Sequence, residues 1–149
     1  GAEAAGLATG VYFFSQAVTP DEAREEADFV LGLLAGRPLD LPVAFDHEPV
    51  SDETGRANHL AGTELAACAR AFCERIEQAG YDTLVYGNKR DIARFGGDVP
   101  DGRPVWFAEY DVAVPTGQFD FVMWQYTSTG TVAGISTRVD LNIRFDAAG

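Results

Sequence analysis

Leu41-Pro-Val-Ala-Phe-Asp-His-Glu48 is a short apolar run that ends in two carboxylates, with a helix signature on either side of it. Upstream, Thr19-Pro20-Asp21-Glu22 marks a helix start, with Thr19 as cap, Pro20 at the first helical position and Glu22 completing a capping box. The helix that follows places Ala23, Ala27, Val30, Leu31 and Leu34 on one apolar stripe, leaves Arg24, Glu25, Glu26 and Asp28 on the other side, and stops at Gly36 and Pro38. Downstream, a polar loop from Ser51 to about Gly62 leads into a second helix, predicted to be capped by Thr63 and ended by Gly80. Its stripe is Leu65, Ala69, Phe72, Cys73 and Ile76. A strand held between amphipathic helices is the repeating unit of a parallel sheet.

The same alternation extends in both directions. Gly10-Val-Tyr-Phe-Phe14 is aromatic and β-branched, and residues 2–7 before it look like a last helical turn closed by Gly6. Thr83-Leu-Val-Tyr-Gly87 is another strand, after which Asn88 caps a short helical segment carrying Ile92 and Phe95. Three further strands are predicted at Val105–Tyr110, Phe119–Tyr126 and Ser136–Asn142. Neither Tyr110 to Phe119 nor Tyr126 to Ser136 leaves room for a crossover helix, so the second half departs from strict β/α alternation. An α/β sheet of this kind is either open and doubly wound or closed, and an irregular barrel accommodates the later strands best. No internal repeat, low-complexity stretch or linker divides residues 1–149, which read as a single domain.

Composition narrows the partners. With 23 acidic against 11 basic side chains the formal charge is -12, which repels phosphate backbones and anionic lipid surfaces, so neither nucleic acid nor membrane is an expected partner. No run of about 18 to 20 apolar residues is present, and the first residues lack the basic and apolar regions of a signal peptide. Cys68 and Cys73 lie five apart on the second helix, where their Cα atoms would be about 8.6 Å apart, too far for a disulfide. They read as small buried apolar side chains.

Chemistry concentrates at strand ends. Asp46 and Glu48, two apart on a strand, project from the same face near its C-terminal end, where barrels of this type carry their active sites. Two neighbouring carboxyls cannot ionise independently, and separating their pKa values supplies an acid and a base together, the division of labour that glycoside hydrolysis needs. Asp-x-Glu alone is common in acidic chains; its company matters more. Tyr12 to Ser15, Tyr86 with Asn88, Trp106 with Tyr110, Trp124-Gln125-Tyr126, and Asp140 with Asn142 put aromatic and polar side chains at the other strand ends. Rings stack on sugar faces while carboxylates and amides bond their hydroxyls, so the inventory suits a glycan groove.

The ordered set Gly10-Val-Tyr-Phe-Phe14, Pro42-Val-Ala-Phe-Asp-His-Glu48, Tyr86-Gly-Asn88, Val105-Trp-Phe-Ala-Glu-Tyr110, Trp124-Gln-Tyr-Thr-Ser-Thr-Gly130 and Val139-Asp-Leu-Asn142 resembles the family 25 glycoside hydrolases, the lysozyme-like muramidases. The resemblance covers nearly the whole chain. It implies a modified TIM-like β/α barrel that hydrolyses the β-1,4 bond between N-acetylmuramic acid and N-acetylglucosamine of peptidoglycan, without metal or cofactor, at an extracellular or cell-wall location. Glu48 matches the general acid, Asp46 the second carboxylate, which either attacks the sugar or orients its 2-acetamido group, and Asp140 the acidic residue of the final strand. Phe13, Tyr86, Tyr110, Trp124, Gln125 and Asn142 are the implied substrate-binding residues.

Two departures from the family pattern shape the expectations. By resemblance Gly10 to Phe14 is the third strand, so the barrel is expected to be incomplete, lacking its first two strands and their helices together with an active-site aspartate. Such a sheet exposes two edges and invites self-association. Loss of that aspartate keeps open a non-catalytic peptidoglycan-binding module on the same scaffold. His47 is the second departure. It alternates away from Asp46 and Glu48 and is expected to pack, hydrogen-bonded, against the helical layer, which leaves a metal-dependent hydrolase built on Asp46-His47-Glu48 without convergent ligands, since His59, the other histidine, lies in a loop.

Overall fold

The computed structural model describes residues 1–51, 54–96 and 99–145. Its centre is a six-stranded sheet in sequential order: β1 (Val11–Phe14), β2 (Val43–Asp46), β3 (Thr83–Gly87), β4 (Val105–Ala108), β5 (Met123–Gly130) and β6 (Val139–Arg144). The first five run parallel and β6 returns antiparallel to β5. Helices α1 (Pro20–Leu34) and α2 (Gly62–Gln78) cross between β1, β2 and β3, and the short α3 (Lys89–Ala93) follows β3.

Side-chain alternation divides the sheet into two faces. Val11, Phe13, Val43, Phe45, Val85, Val105, Phe107 and Trp124 turn toward the core that includes Ala23, Ala27, Val30 and Leu34 of α1 and Leu65, Ala69, Phe72, Cys73 and Ile76 of α2. The fully buried Phe72 ring is its hinge, stacked on Phe13 at 6.0 Å and tilted against Phe45 at 5.3 Å. Tyr12, Ala44, Leu84, Trp106, Met123 and Asn142 turn the other way and line one cavity, so the sheet curls until its first and last strands share an interior. The fold is therefore an incomplete TIM-like α/β barrel, with β1 and β6 at its edges among the described residues. Cys68 and Cys73 are free and buried.

Helix ends follow local chemistry, with two corrections. Thr19 Oγ1 accepts the Glu22 N–H at 3.2 Å as a cap should, but Glu22 Oε2 returns its 2.8 Å bond to Val18 N–H, one residue before the cap. Thr63 does not cap α2. The helix begins at Gly62, whose N–H is taken by the Arg94 carbonyl at 2.6 Å, so Thr63 lies inside the first turn and Ala61 precedes the helix with no side-chain cap. Asn88 does cap α3, and Asp91 completes a capping box with it. Glu26, expected on the solvent side of α1, is half-buried and bonds Ser15 Oγ at 2.6 Å and Gln16 N–H at 2.9 Å.

The strands after residue 104 differ most from expectation. As its length implied, the parallel β4–β5 connection contains no helix; the strand limits are what change. Residues 119–122 are not strand. Phe119 and Phe121 instead pack on Phe107 at 5.0 and 5.4 Å, filling with rings the space a crossover helix would occupy. The strand expected at Phe119–Tyr126 thus begins at Met123 and runs to Gly130, and its partner begins at Val139 rather than Ser136. The loop expected from Ser51 to Gly62 includes Asp52 and Glu53, which lie outside the described residues.

Phe72→Ala removes the ring that joins β1, β2 and α2, and is expected to lower unfolding free energy by about 3–5 kcal/mol, read from urea midpoints by circular dichroism. Thr63→Ala, which removes no cap, should change it by less than about 0.5 kcal/mol.

Candidate active site

Parallel strands deliver their C-terminal ends to one rim, and there Tyr12, Asp46, Glu48, Tyr86, Trp106, Gln125 and Asp140 line a cleft of about 200 Å³. Asp46 is the last residue of β2, paired in register with Phe14 and Tyr86. Glu48 lies two residues past the strand, so its position rests on the loop rather than on the sheet. That loop is fastened by Arg94, whose guanidinium donates to the carbonyls of His47 at 3.1 Å and Leu60 at 2.7 Å, while Asn58 bridges both backbone groups of Val50. A larger cavity, about 560 Å³, lies between residues 1–4, β1 and α1. It gathers no group of carboxyls, so volume does not mark the reactive place here.

Burial and mutual repulsion govern the carboxyls. Asp46 is 6% exposed, its Oδ1 has no donor among the described residues, and desolvation, followed by the Glu48 and Asp91 charges, pushes its carboxyl up to about 8. Glu48 is half-buried and is also raised, first by desolvation and then by Asp91. Asp91 itself is buried, with Oδ2 accepting the Asn88 N–H at 3.1 Å, and desolvation raises it too. Gly87 permits this approach, because a Cβ there would stand 2.8 Å from that of Asp91. Asp46 and Glu48 thus titrate as a pair that keeps a proton toward neutral pH, with Glu48 the more accessible end.

A polar and aromatic wall completes the cleft. The hydroxyls of Tyr86 and Tyr110 donate to Gln125 Oε1 at 2.6 and 2.5 Å, and Trp106 donates its Nε1–H to Asn142 Oδ1 at 2.8 Å. Trp106 meets Tyr86 edge-on at 4.9 Å. Glu109 ties the loop after β4 to α3 through Lys89 at 2.7 Å and Thr116, which hold its carboxyl down at about 2.

The sequence profile of Glycosyl hydrolases family 25 matches residues 1–135. The chain belongs to that family. It is 28% identical to the autolytic lysozyme of Clostridium acetobutylicum over 142 residues, 95% of this chain and 41% of that protein. Among solved structures it resembles the CTP1L endolysin, with TM-score 0.77 and 27% identity over 97% of this chain and 49% of that one. The spore cortex lytic enzyme SleM of Clostridium perfringens gives TM-score 0.75 and 25% identity over 94% and 50%. The chain spans about two fifths of the length of the curated relative and about half of each of these structures.

Against the expectations for this family 25 chain, Asp46, Glu48, Asp140, Tyr86 and Gln125 do share the cleft, with Tyr110 and Asn142 bonded directly to its wall. Phe13 and Trp124 do not. Phe13 packs on Phe72 and Phe29, and Trp124 is 7% exposed in the core with Nε1–H donated to the Glu109 carbonyl. Alternation could have shown this, since a β5 that points Gln125 inward must point Trp124 outward. Tyr12 and Trp106, counted among the strand-end aromatics but not among the substrate-binding residues implied by the family resemblance, line the cleft, and Asp91, whose charge reaches Asp46 and Glu48, was named by neither reading. His47 is buried and stacked on Phe45 at 6.1 Å, but neither ring nitrogen finds a partner among the described residues, correcting the expected hydrogen bond. No group of three or more potential metal ligands occurs among those residues.

His47 and Asp46 predict opposite pH limbs. Desolvation, then Arg94, lowers His47 from 6.5 to about 4, so its contribution to stability is intact above pH 6.5 and is lost as pH falls toward 4. Asp46, raised from 3.8 to about 8, favours the fold most while protonated and loses that contribution as pH rises through 8. In melting curves from pH 4 to 9, His47→Phe should flatten the acid limb, and Asp46→Asn should raise the melting temperature more at pH 9 than at pH 5, at roughly 2–4 °C per kcal/mol.

Proposed function

We propose that this chain hydrolyses the β-1,4 bond between N-acetylmuramic acid and N-acetylglucosamine in peptidoglycan, with Glu48 as general acid. The observation that carries this reading is the proton-retaining Asp46–Glu48 pair facing a cleft walled by Tyr12, Tyr86 and Trp106. Membership of family 25 and likeness to a lysozyme and an endolysin support it. With the proton of the pair on Glu48 and Asp46 ionised, Glu48 gives that proton to the glycosidic oxygen as the bond from that oxygen to the anomeric carbon breaks. The second carboxylate then either bonds to the anomeric carbon or orients the substrate's acetamido group to do so. A water adds to that carbon and returns a proton to Glu48. Asp140, exposed on β6 at the cleft, holds substrate polar groups. Such an enzyme works at the cell wall or outside the cell; no helix among the described residues is long and apolar enough to cross a membrane.

Release of reducing ends from purified peptidoglycan tests the proposal. Glu48→Gln should lower it by about 10²- to 10⁴-fold while the protein still pellets with the wall polymer. If wild type pellets with peptidoglycan and yields no reducing ends, the chain is a binding module and hydrolysis is wrong.

Self-association through the open sheet edge belongs to the same reading. Tyr12 and Phe14 of β1 are 64% and 42% exposed, and Leu33 of α1, beside the cavity next to β1, is 61% exposed. The charge of -12 opposes contact between copies at low salt. Sedimentation should therefore show a concentration-dependent larger species that grows when salt rises from about 0.01 to 1 M, two conditions whose screening lengths differ about tenfold; a single unchanging species would exclude it.

A further inference from the structure

We infer that Gln125 is the specificity-determining residue of the cleft, reading the carbonyl of a sugar 2-acetamido group through its Nε2 amino group, with Tyr86 and Tyr110 as positioning residues. The inference rests on the glycan-cleft reading above.

The argument is an account of donors and acceptors. Gln125 is 3% exposed on β5, yet it borders the cleft. Its Oε1 receives two hydroxyl protons, from Tyr86 on β3 and from Tyr110 beyond β4, which uses both lone pairs. Its Nε2 has no acceptor among the described residues and is not one of their buried unpaired atoms, so it stays accessible on a residue that lines the cleft. Turning the amide by 180° would let Nε2 donate to the two hydroxyl oxygens but would present Oε1 to a cavity already lined by the acceptors of Asp46, Glu48 and Asp140. The tyrosines thus lock a pure donor toward the ligand.

The remaining lining groups offer no equivalent. Trp106 has given its only N–H to Asn142 and Tyr86 its only O–H to Gln125. Ionised carboxylates accept only, and the proton kept by the Asp46–Glu48 pair is needed at the leaving oxygen. Tyr12 carries a hydroxyl, but on an exposed edge strand. Sugar hydroxyls both donate and accept, so carboxylates can hold them. An acetamido carbonyl accepts only, and it needs a fixed donor. Gln125 Nε2 is that donor, and a ligand lacking the acetamide leaves it unmatched in a desolvated place.

The test compares two neutral β-1,4 tetrasaccharides that differ at the 2-position, chitotetraose with an acetamide and cellotetraose with a hydroxyl, by isothermal calorimetry on the full chain. Wild type should bind chitotetraose at least about tenfold more tightly, the worth of one well-placed hydrogen bond. Gln125→Glu, which keeps the acceptor for both tyrosines but has no amide donor, and Gln125→Met should each shrink that ratio to within about threefold. Any charge effect of Gln125→Glu acts on both sugars and cancels in the ratio. Tyr110→Phe, which frees one lone pair of Gln125 Oε1, should lower the ratio by weakening chitotetraose binding more than cellotetraose binding, whereas a loss of general packing would weaken both alike. Circular dichroism checks folding, and should Gln125→Met not fold, Gln125→Glu decides. Equal binding of the two sugars by wild type, or a preference that survives in Gln125→Glu, overturns the inference. Because the readout is binding, absence of reducing-end release with a Gln125-dependent ratio would defeat hydrolysis and leave this assignment standing.

Discussion

Alternation along parallel strands is the constraint on which this molecule depends. Every second residue of β1 to β4 must satisfy the core, which claims Phe13, Phe45 and Val85 beside α1 and α2 and Phe107 against Phe119 and Phe121. The residues between them are released from that duty and face the interior of the curl, where Tyr12, Asp46, Tyr86 and Trp106 meet. A slip of one residue in β2 would bury a carboxylate against Phe72 and send Phe45 into the cleft, so packing and chemistry are specified by the same register.

Electrostatics builds on that frame. Asp46 is carried into a dry position by a strand whose four residues are all buried, and desolvation outweighs its neighbours' charges as the cause of its altered acidity. Asp91 adds to the repulsion from a helix end brought close by Gly87. Arg94 is spent on backbone carbonyls, and no cation among the described residues offsets the repulsion at Asp46 and Glu48. An ion pair there would have pulled the same groups down and removed their capacity to hold a proton.

Much of this was legible in the sequence because it is local. Caps at Thr19 and Asn88, the stripes of both long helices and the strand at Thr83–Gly87 all follow from short-range rules, and the ordered motifs pointed to the right family. What escaped depends on distant partners. Arg94 carbonyl bonding at Gly62 decided where α2 begins, and the ring cluster on Phe107 converted an expected strand at 119–122 into irregular packing. Phe13 and Trp124 were misplaced although their parity was readable, since an aromatic at a strand end was weighed above the direction of its side chain. Hydroxyl convergence on Gln125 joins three strands' ends and leaves no trace in spacing.

The Arg94 fastening carries a consequence for how the chain tolerates change in length. Residues 47 and 60 are held from outside the loop, and Val50 is bridged to Asn58, so both feet of the 51–57 excursion are pinned. Added residues there would lengthen a tethered bight without moving Glu48, at a closure cost of about 0.6 kcal/mol per doubling. The rim beside Glu48 is thereby free to acquire new walls while Glu48 stays where the Arg94 and Asn58 bonds hold its end of the loop.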